Sequence, residues 1–277
     1  FDPAYDSYDP AIRLVGGRCI HIPLQPPAFA YDWDRVAAAI TERTRLIVIN
    51  TPHNPACSVA TQDDLDRLAT LVRDRDILVL SDEVYEHVTF DGISHASVLA
   101  HPELRECSFA VYSFGKALHA TGLRVGYCVA PPLLTRELRK VHQFNTFSIA
   151  HPLQHAITQY LIEEPQSWQG LAQFFQAKRD RVRAALAGSG WRAPAAHGTY
   201  FQLIDYSALA EADDVAFADR VLTEAGVATI PLSPFYRQAP RLSLLRLCLA
   251  KKDETLDAAT MRLRDFAERL QSDRPLI

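Results

Sequence analysis

The sequence predicts an α/β fold with a mostly parallel sheet in its first part and a smaller α+β domain at its C-terminal end. Short apolar runs rich in β-branched residues recur along the first part, as is typical of buried parallel strands. Amphipathic segments with helical spacing separate these runs, and such alternation favours a parallel sheet. After residue 155 the pattern becomes more mixed. The chain has 277 residues, enough for two domains, and we expect them over 1–155 and 156–277.

Four strands and one well-marked helix are predicted in the first part. The helix begins after Thr61, because Thr61 and Asp64 have the spacing of a capping box and apolar residues then recur on one helical face through Val72. Pro131-Pro132 ends the last of these strands. The predicted strands cover residues 45–49, 77–80, 108–112 and 125–129.

The remainder of the chain has mostly helical patterns with short strands between them. A helical pattern over 135–162 is interrupted near His151-Pro152, where proline is expected to kink or break the helix. Further helices are predicted over 169–186, 215–225 and 253–270, and strands over 200–204, 227–230 and 244–249.

The composition argues against nucleic-acid and membrane partners. The sequence has 29 Lys and Arg against 33 Asp and Glu, a formal net charge of -4, and no basic block. No run of 18 apolar residues is present. The five cysteines form no Cys-x-x-Cys pair and have no histidine at metal-ligand spacing, which predicts a reducing, cytoplasmic location and no metal site. We therefore expect small-molecule chemistry.

Polar clusters follow three of the predicted strands, at residues 50–55, 81–85 and 113–116. Each cluster has an ordinary explanation: a turn at an Asn-Pro step, a helix-capping aspartate, or a solvated loop lysine. In open α/β sheets, however, ligands bind beyond the carboxyl ends of the strands. Three such clusters at the same end of successive strands favour a binding site there.

Arg246 is unusual because it lies within a predicted strand, on the face shared with Leu244 and Cys248. A buried guanidinium needs a partner, since an unpaired buried charge is strongly destabilising. The partner is either an internal Asp or Glu, or a substrate carboxylate, which matches the planar guanidinium bidentately. Both interpretations remain open on the sequence.

These clusters together resemble the fold type I, class I/II aminotransferases that depend on pyridoxal phosphate, specifically the branch of methionine and kynurenine/glutamine aminotransferases. The resemblance covers nearly the whole chain and implies a three-layer large domain. It is carried by four stretches: Asn50-Thr51-Pro52-His53-Asn54-Pro55, Ser81-Asp82-Glu83-Val84-Tyr85-Glu86-His87, Ser113-Phe114-Gly115-Lys116 continuing to Tyr127, and Leu245-Arg246-Leu247-Cys248 continuing to Glu254.

The resemblance implies a role for eight residues. Lys116 is the lysine that forms a Schiff base with the cofactor aldehyde and moves the proton between the substrate Cα and the cofactor C4′ atom. The others are expected to bind cofactor or substrate: Asp82 at the pyridine nitrogen, Asn54 and Tyr85 at the phenolic oxygen, Ser113 and Arg124 at the phosphate, Tyr5 stacked on the cofactor ring, and Arg246 at the substrate α-carboxylate.

The beginning of the chain bears on these expectations. It starts at Phe1, and its only methionine is Met261. Members of the family continue further upstream, where a turn at a helix N-terminus holds the cofactor phosphate. We therefore expect an N-terminally truncated sequence with an incomplete large domain, from a protein that is a homodimer when complete.

The function implied is transamination between an amino acid, which is methionine, glutamine or an aromatic one, and a 2-oxo acid. One alternative keeps the cofactor but releases pyruvate, ammonia and a thiol, as a cysteine-S-conjugate β-lyase does. Another alternative is the aminotransferase-like effector domain of a transcription regulator, which follows an N-terminal DNA-binding module.

Overall fold

Two separate sheets organise the chain, which is described over residues 1–272 in a computed structural model. In this range the strands are β1 (Leu46–Asn50), β2 (Leu78–Asp82), β3 (Ser108–Ser113), β4 (Gly126–Val129), β5 (Phe201–Asp205), β6 (Ile230–Pro231) and β7 (Leu244–Cys248). The α-helices are α1 (Tyr8–Leu14), α2 (Trp33–Ala39), α3 (Gln62–Val72), α4 (Phe114–Ala117), α5 (Pro132–Asn145), α6 (His151–Glu163), α7 (Gln166–Gln169), α8 (Leu171–Leu186), α9 (Asp214–Arg220) and α10 (Asp253–Ser272).

The chain divides into two compact units. The central unit comprises Tyr31–Pro52 and Val59–Ala172. The terminal unit comprises Phe1–Ala30, His53–Ser58 and Gln173–Ile277. Each unit contains one of the two sheets. The domain division at residue 155 stays a prediction.

The central unit contains a four-stranded sheet in the order β1-β2-β3-β4. The first three strands are parallel and β4 is antiparallel to β3, which confirms the predicted mostly parallel sheet. Asn50 pairs with Asp82, and Asp82 pairs with Val111. The polar residues at the carboxyl ends of β1 and β2 are therefore in register. Apolar side chains such as Val79 and Ala110 are fully buried in this sheet.

Helix α3 begins as predicted. The Thr61 hydroxyl accepts a hydrogen bond from the Asp64 amide, at 3.1 Å, and the Asp64 carboxylate accepts one from the Thr61 amide, at 2.8 Å. Two otherwise unpaired amides at the start of the helix are thereby satisfied. Leu65 and Leu68 are fully buried on its inner face. Asp64 also accepts from the Trp33 indole at 2.8 Å, so α3 is fixed against α2.

The predicted break in the helical stretch after β4 lies slightly earlier than expected. Helix α5 ends at Asn145, and Phe147 has a left-handed φ of 64°. Pro152 lies in the first turn of α6, so it does not break the helix there. Proline is well tolerated in a first helical turn, because the amide it lacks has no partner within the helix. The predicted 169–186 helix is α8, which begins two residues later than expected because the short helix α7 ends with its C-cap at Gly170.

The terminal unit contains an antiparallel sheet in the order β5-β7-β6. Its core is aromatic, with the Tyr206 and Phe217 rings stacked at 4.0 Å between centroids and Phe266 fully buried. The predicted strand over 227–230 is wrong for residues 227–229. Helix α9 continues as a π-helical turn, and the Val227 amide still bonds to a carbonyl of that turn at 3.4 Å. Only the two residues of β6 remain to pair with β7.

No helix within residues 1–272 has the length and apolar character needed to cross a bilayer.

Candidate active site

The carboxyl edge of the central sheet brings together five of the residues singled out in the sequence: Asp82, Tyr85, Ser113, Lys116 and Arg124. Asp82 is the last residue of β2, and its backbone carbonyl accepts hydrogen bonds from the Asn50 side-chain amide at 2.8 Å and from the Thr51 amide at 3.0 Å. One Asp82 carboxylate oxygen accepts from the Val84 amide at 3.3 Å. The β1 and β2 strand ends thus hold the position of Asp82.

Tyr85 and Lys116 lie near each other at this edge. Lys116 is on α4, which follows β3 directly, and its Nζ is 5.9 Å from the centroid of the Tyr85 ring. Tyr85 is buried, whereas Lys116 is partly exposed. A primary amine that shares this edge of the sheet with a carboxylate and a phenol is a candidate general base.

Ser113 directly precedes α4, and Arg124 lies in the turn that joins α4 to β4. Ser113 ends β3, and Arg124 is exposed with a left-handed φ of 53°. Its guanidinium donates to the Thr121 carbonyl at 3.2 Å. Gly126 pairs with Ser113, and a Cβ at Gly126 would lie 2.5 Å from the Tyr112 carbonyl oxygen. Glycine is therefore required for this turn to approach the end of β3.

A buried hydrogen-bond network, which sequence reasoning missed, lies next to these residues. Its centre is the Glu83 carboxylate, and we call it the Glu83 network. The donors are the Ser81 hydroxyl at 2.8 Å, the Val98 amide at 3.1 Å, the His95 Nε2 at 2.9 Å and the Tyr112 hydroxyl at 2.8 Å. The sequence signal was a second acidic residue directly after Asp82, at a position where strand alternation points it to the opposite face.

The electrostatics of the network favour an ionised Glu83. Burial opposes ionisation, but the hydrogen bond and charge of His95, with help from Ser97 and Ser81, hold the pKa of Glu83 below its ordinary value. The phenol of Tyr112 has a raised pKa, because it is buried and lies beside the Glu83 carboxylate. Tyr112 therefore stays protonated and donates to Glu83.

In the terminal unit, Asn54 and Arg246 are joined directly. The Arg246 guanidinium donates to Asn54 Oδ1 at 2.5 Å. Its carbon Cζ lies 4.2 Å from the Phe201 ring centroid and 5.4 Å from that of Phe235. Cation–π contacts of this kind hold a guanidinium plane in one orientation. The sequence did not identify the two phenylalanines as neighbours of Arg246.

The loop that carries Asn54 is well anchored within the terminal unit. The His53 amide donates to the Ser58 carbonyl and the Cys57 amide to the His53 carbonyl, both at 2.8 Å. The Cys57 carbonyl accepts from the His197 amide at 2.8 Å. Cys57 itself has a left-handed φ of 61°, which any residue other than glycine adopts at a cost.

Tyr5 is 44% exposed and packs edge-on against Tyr8, with 5.7 Å between ring centroids. Nearby in the terminal unit, ligand atoms of Asp9, Cys19 and His21 lie within 4.8 Å of one another, a grouping that sequence spacing did not suggest.

Comparison with known proteins assigns the family. Residues 1–263 match the model of the family "Aminotransferase class I and II". Methionine aminotransferase of Escherichia coli (strain K12) is 50% identical over 96% of this chain and 69% of its own length. A probable N-succinyldiaminopimelate aminotransferase of Mycobacterium tuberculosis is 32% identical over 97% of this chain and 70% of its own length.

Two further similarities agree with this. Kynurenine–oxoglutarate transaminase 1 of Mus musculus is 31% identical over 95% of this chain and 69% of its own length. The crystal structure of YbdL from Escherichia coli, described as having a methionine aminotransferase function, superimposes with a TM-score of 0.94 over 96% of this chain and 70% of that chain, at 50% identity. The chain therefore spans about 70% of the length of these proteins and has their fold.

The agreement of the family match with the predicted motifs confirms the resemblance seen in the sequence. The chain belongs to the class I and II aminotransferases and is an enzyme of this pyridoxal-phosphate-dependent family.

Proposed function

We propose that the carboxyl edge of the central sheet holds pyridoxal phosphate and that the enzyme transfers the amino group of methionine, glutamine or an aromatic amino acid to a 2-oxo acid. The observation that carries the proposal is the arrangement of Asp82, Tyr85 and Lys116 at one edge of a parallel sheet. This chain is 50% identical to the methionine aminotransferase of Escherichia coli and has the same fold. The arrangement of the three residues therefore supports the chemistry of the family.

The side chains at this edge fit the cofactor chemically. We assign Asp82 to the protonated pyridine nitrogen, Tyr85 to the phenolic oxygen, and Ser113 with Arg124 to the phosphate. A carboxylate, a phenol, a hydroxyl and a guanidinium are the partners these groups require. When bound, pyridoxal phosphate supplies an electron sink for the carbanion at the substrate Cα.

Lys116 performs the proton transfer in this proposal. Its amine would hold and move the proton of the substrate Cα, acting first as base and then as acid. The short helix α4 and the preceding strand fix its backbone. A general base held close to the reacting atom gains from proximity as well as from basicity.

In the terminal unit, Arg246 is assigned to the α-carboxylate of the substrate. Its hydrogen bond to the Asn54 amide and its contact with Phe201 orient the guanidinium, so that less conformational entropy is lost when a carboxylate binds. Asn54 is assigned in addition to the cofactor phenolic oxygen, and Tyr5 to the cofactor ring. The aromatic rings of Phe201 and Phe235 beside Arg246 support a preference for thioether and aromatic side chains.

We further propose a homodimer located in the cytoplasm, with a large domain over 1–155 and a small domain over 156–277. The dimer is supported by large apolar side chains exposed on and beside α5 and α6: Leu133, Val141, Phe144, Phe147 and Ile162. Exposed apolar groupings of this kind commonly mark protein interfaces.

The test is a substrate panel with the purified protein and added pyridoxal phosphate. Methionine, glutamine and phenylalanine are each incubated with a 2-oxo acid, and the new amino acid is quantified. We expect transfer from at least one of these donors and none in Lys116→Ala. Unchanged transfer in Lys116→Ala would overturn the assignment of the base. Release of pyruvate, ammonia and a thiol from cysteine conjugates without a 2-oxo acid would instead identify a β-lyase.

A further inference from the structure

Glu83 is a buried carboxylate that has no part in the chemistry proposed above. It lies between Asp82 and Tyr85 and has an exposed fraction of 0%. An ionised carboxylate offers about four acceptor positions, and the four donors of the Glu83 network fill them. Removing one member would leave buried polar groups unpaired, so the network holds its members in position together.

The network connects the ends of two strands that carry proposed site residues. Ser81 directly precedes Asp82 in β2, and Tyr112 directly precedes Ser113 in β3. Because side chains alternate along a strand, the residues bound to Glu83 lie on one face and their neighbours on the other. The Glu83 amide also donates to the Val111 carbonyl at 3.0 Å. Glu83 therefore joins β2 to β3 through both its backbone and its side chain.

The network also includes the segment that follows Tyr85. The Val98 amide and the His95 ring both donate to Glu83. The other ring nitrogen of His95, Nδ1, is buried and has no hydrogen-bond partner among the residues that the structure describes. The orientation of the His95 ring is thus set by its bond to Glu83.

We propose that Glu83 is a positioning residue for cofactor binding, because it fixes the end of β2 relative to the end of β3. Asp82 and Tyr85, at and after the end of β2, then keep the distance from Ser113 and Lys116, at and after the end of β3, that the cofactor requires. This inference rests on the proposed function.

The test compares Glu83→Gln with the matched control Glu106→Gln, which makes the same change on an exposed side chain of the central unit. Two quantities are measured on the full chain. One is the dissociation constant of pyridoxal phosphate, from titration of its visible absorption band. The other is the pH midpoint at which the band of the bound cofactor changes. The melting temperature of the cofactor-free protein reports stability separately.

We expect Glu83→Gln to raise the dissociation constant about tenfold and to move the pH midpoint lower by about half a unit, because a negative charge that favours protonated groups nearby is removed. Glu106→Gln should leave both quantities unchanged. A lowered melting temperature with an unchanged dissociation constant and midpoint would contradict the positioning role and leave Glu83 a structural residue only.

A second variant covers the case in which Glu83→Gln does not fold. Tyr112→Phe removes one donor but keeps the ring, which stacks on Tyr127 with 4.8 Å between centroids. We expect a smaller weakening of cofactor binding in the same direction, and no weakening would overturn the proposal. If the wild-type protein binds no cofactor, the proposed function itself is refuted. If the wild-type protein binds the cofactor and both variants have its dissociation constant and pH midpoint, only the role of Glu83 is refuted.

Discussion

Replacing Arg246 with lysine separates the geometry of the guanidinium from its charge. Lysine keeps the positive charge but has no planar fork, so it cannot bind a carboxylate bidentately. It also loses the orientation that Arg246 gains from Asn54 at 2.5 Å and from the Phe201 ring at 4.2 Å. The substitution therefore tests whether a pre-oriented guanidinium binds the substrate carboxylate.

The magnitude follows from one charge-assisted hydrogen bond. Such a bond contributes roughly 1.5–3 kcal/mol, and about 1.4 kcal/mol corresponds to a factor of ten. We expect kcat/KM for the amino acid to fall by about 10- to 100-fold in Arg246→Lys. The visible band of the bound cofactor should be retained, because Arg246 is assigned to the substrate.

The assay is steady-state transamination with the most active donor of the substrate panel. Arg262→Lys, which makes the same change on an exposed residue of α10, is the control. An amine that lacks the α-carboxylate should react equally well with the wild-type protein and Arg246→Lys. Unchanged kcat/KM for the amino acid, or an equal loss for both donors, would refute the reasoning.

Two further predictions concern stability. Gly126→Ala places a Cβ against a backbone oxygen at 2.5 Å and should destabilise the fold by about 1–3 kcal/mol in urea denaturation, whereas Gly122→Ala, with no atom within 4 Å, should not. An equal effect at both glycines would contradict the proposed close approach. Burial lowers the pKa of His53 to about 3, below the ordinary value of about 6.5. The unfolded chain then binds a proton that the folded chain does not, so the free energy of unfolding should fall as the pH drops from about 6.5 towards about 3. His53→Asn should reduce that fall, and an identical pH slope in both proteins would count against it.

The sequence predicted the elements whose signals are local. The central sheet and the capped start of α3 follow from apolar runs and from the Thr61 to Asp64 spacing, and both are confirmed. Most strand boundaries differ from the structure by a residue or two. The predicted strand over 227–230 was wrong at residues 227–229, because Gly226 has a left-handed φ of 66° and the Val227 amide still bonds to the Val221 carbonyl. Periodicity does not distinguish this end of a helical turn from the start of a strand.

The residues of the candidate site also fall into those with a local sequence signal and those without one. Residues of the motifs could be identified from their chemistry and spacing, because their types are those that the reaction requires. The partners of Glu83 lie up to 29 positions away along the chain, and the pairing of Arg246 with Asn54 spans 192 positions. Such contacts depend on the folded arrangement of strands and leave no periodic signal in the sequence.

The central claim is that Lys116 binds pyridoxal phosphate covalently. The most direct measurement is reduction of the cofactor-loaded chain with borohydride, followed by digestion and peptide mass spectrometry. The chain has four other lysines, Lys140, Lys178, Lys251 and Lys252, which serve as internal controls. We predict that the added mass is found on the peptide containing Lys116. Its absence there, or modification of another lysine instead, would contradict the account.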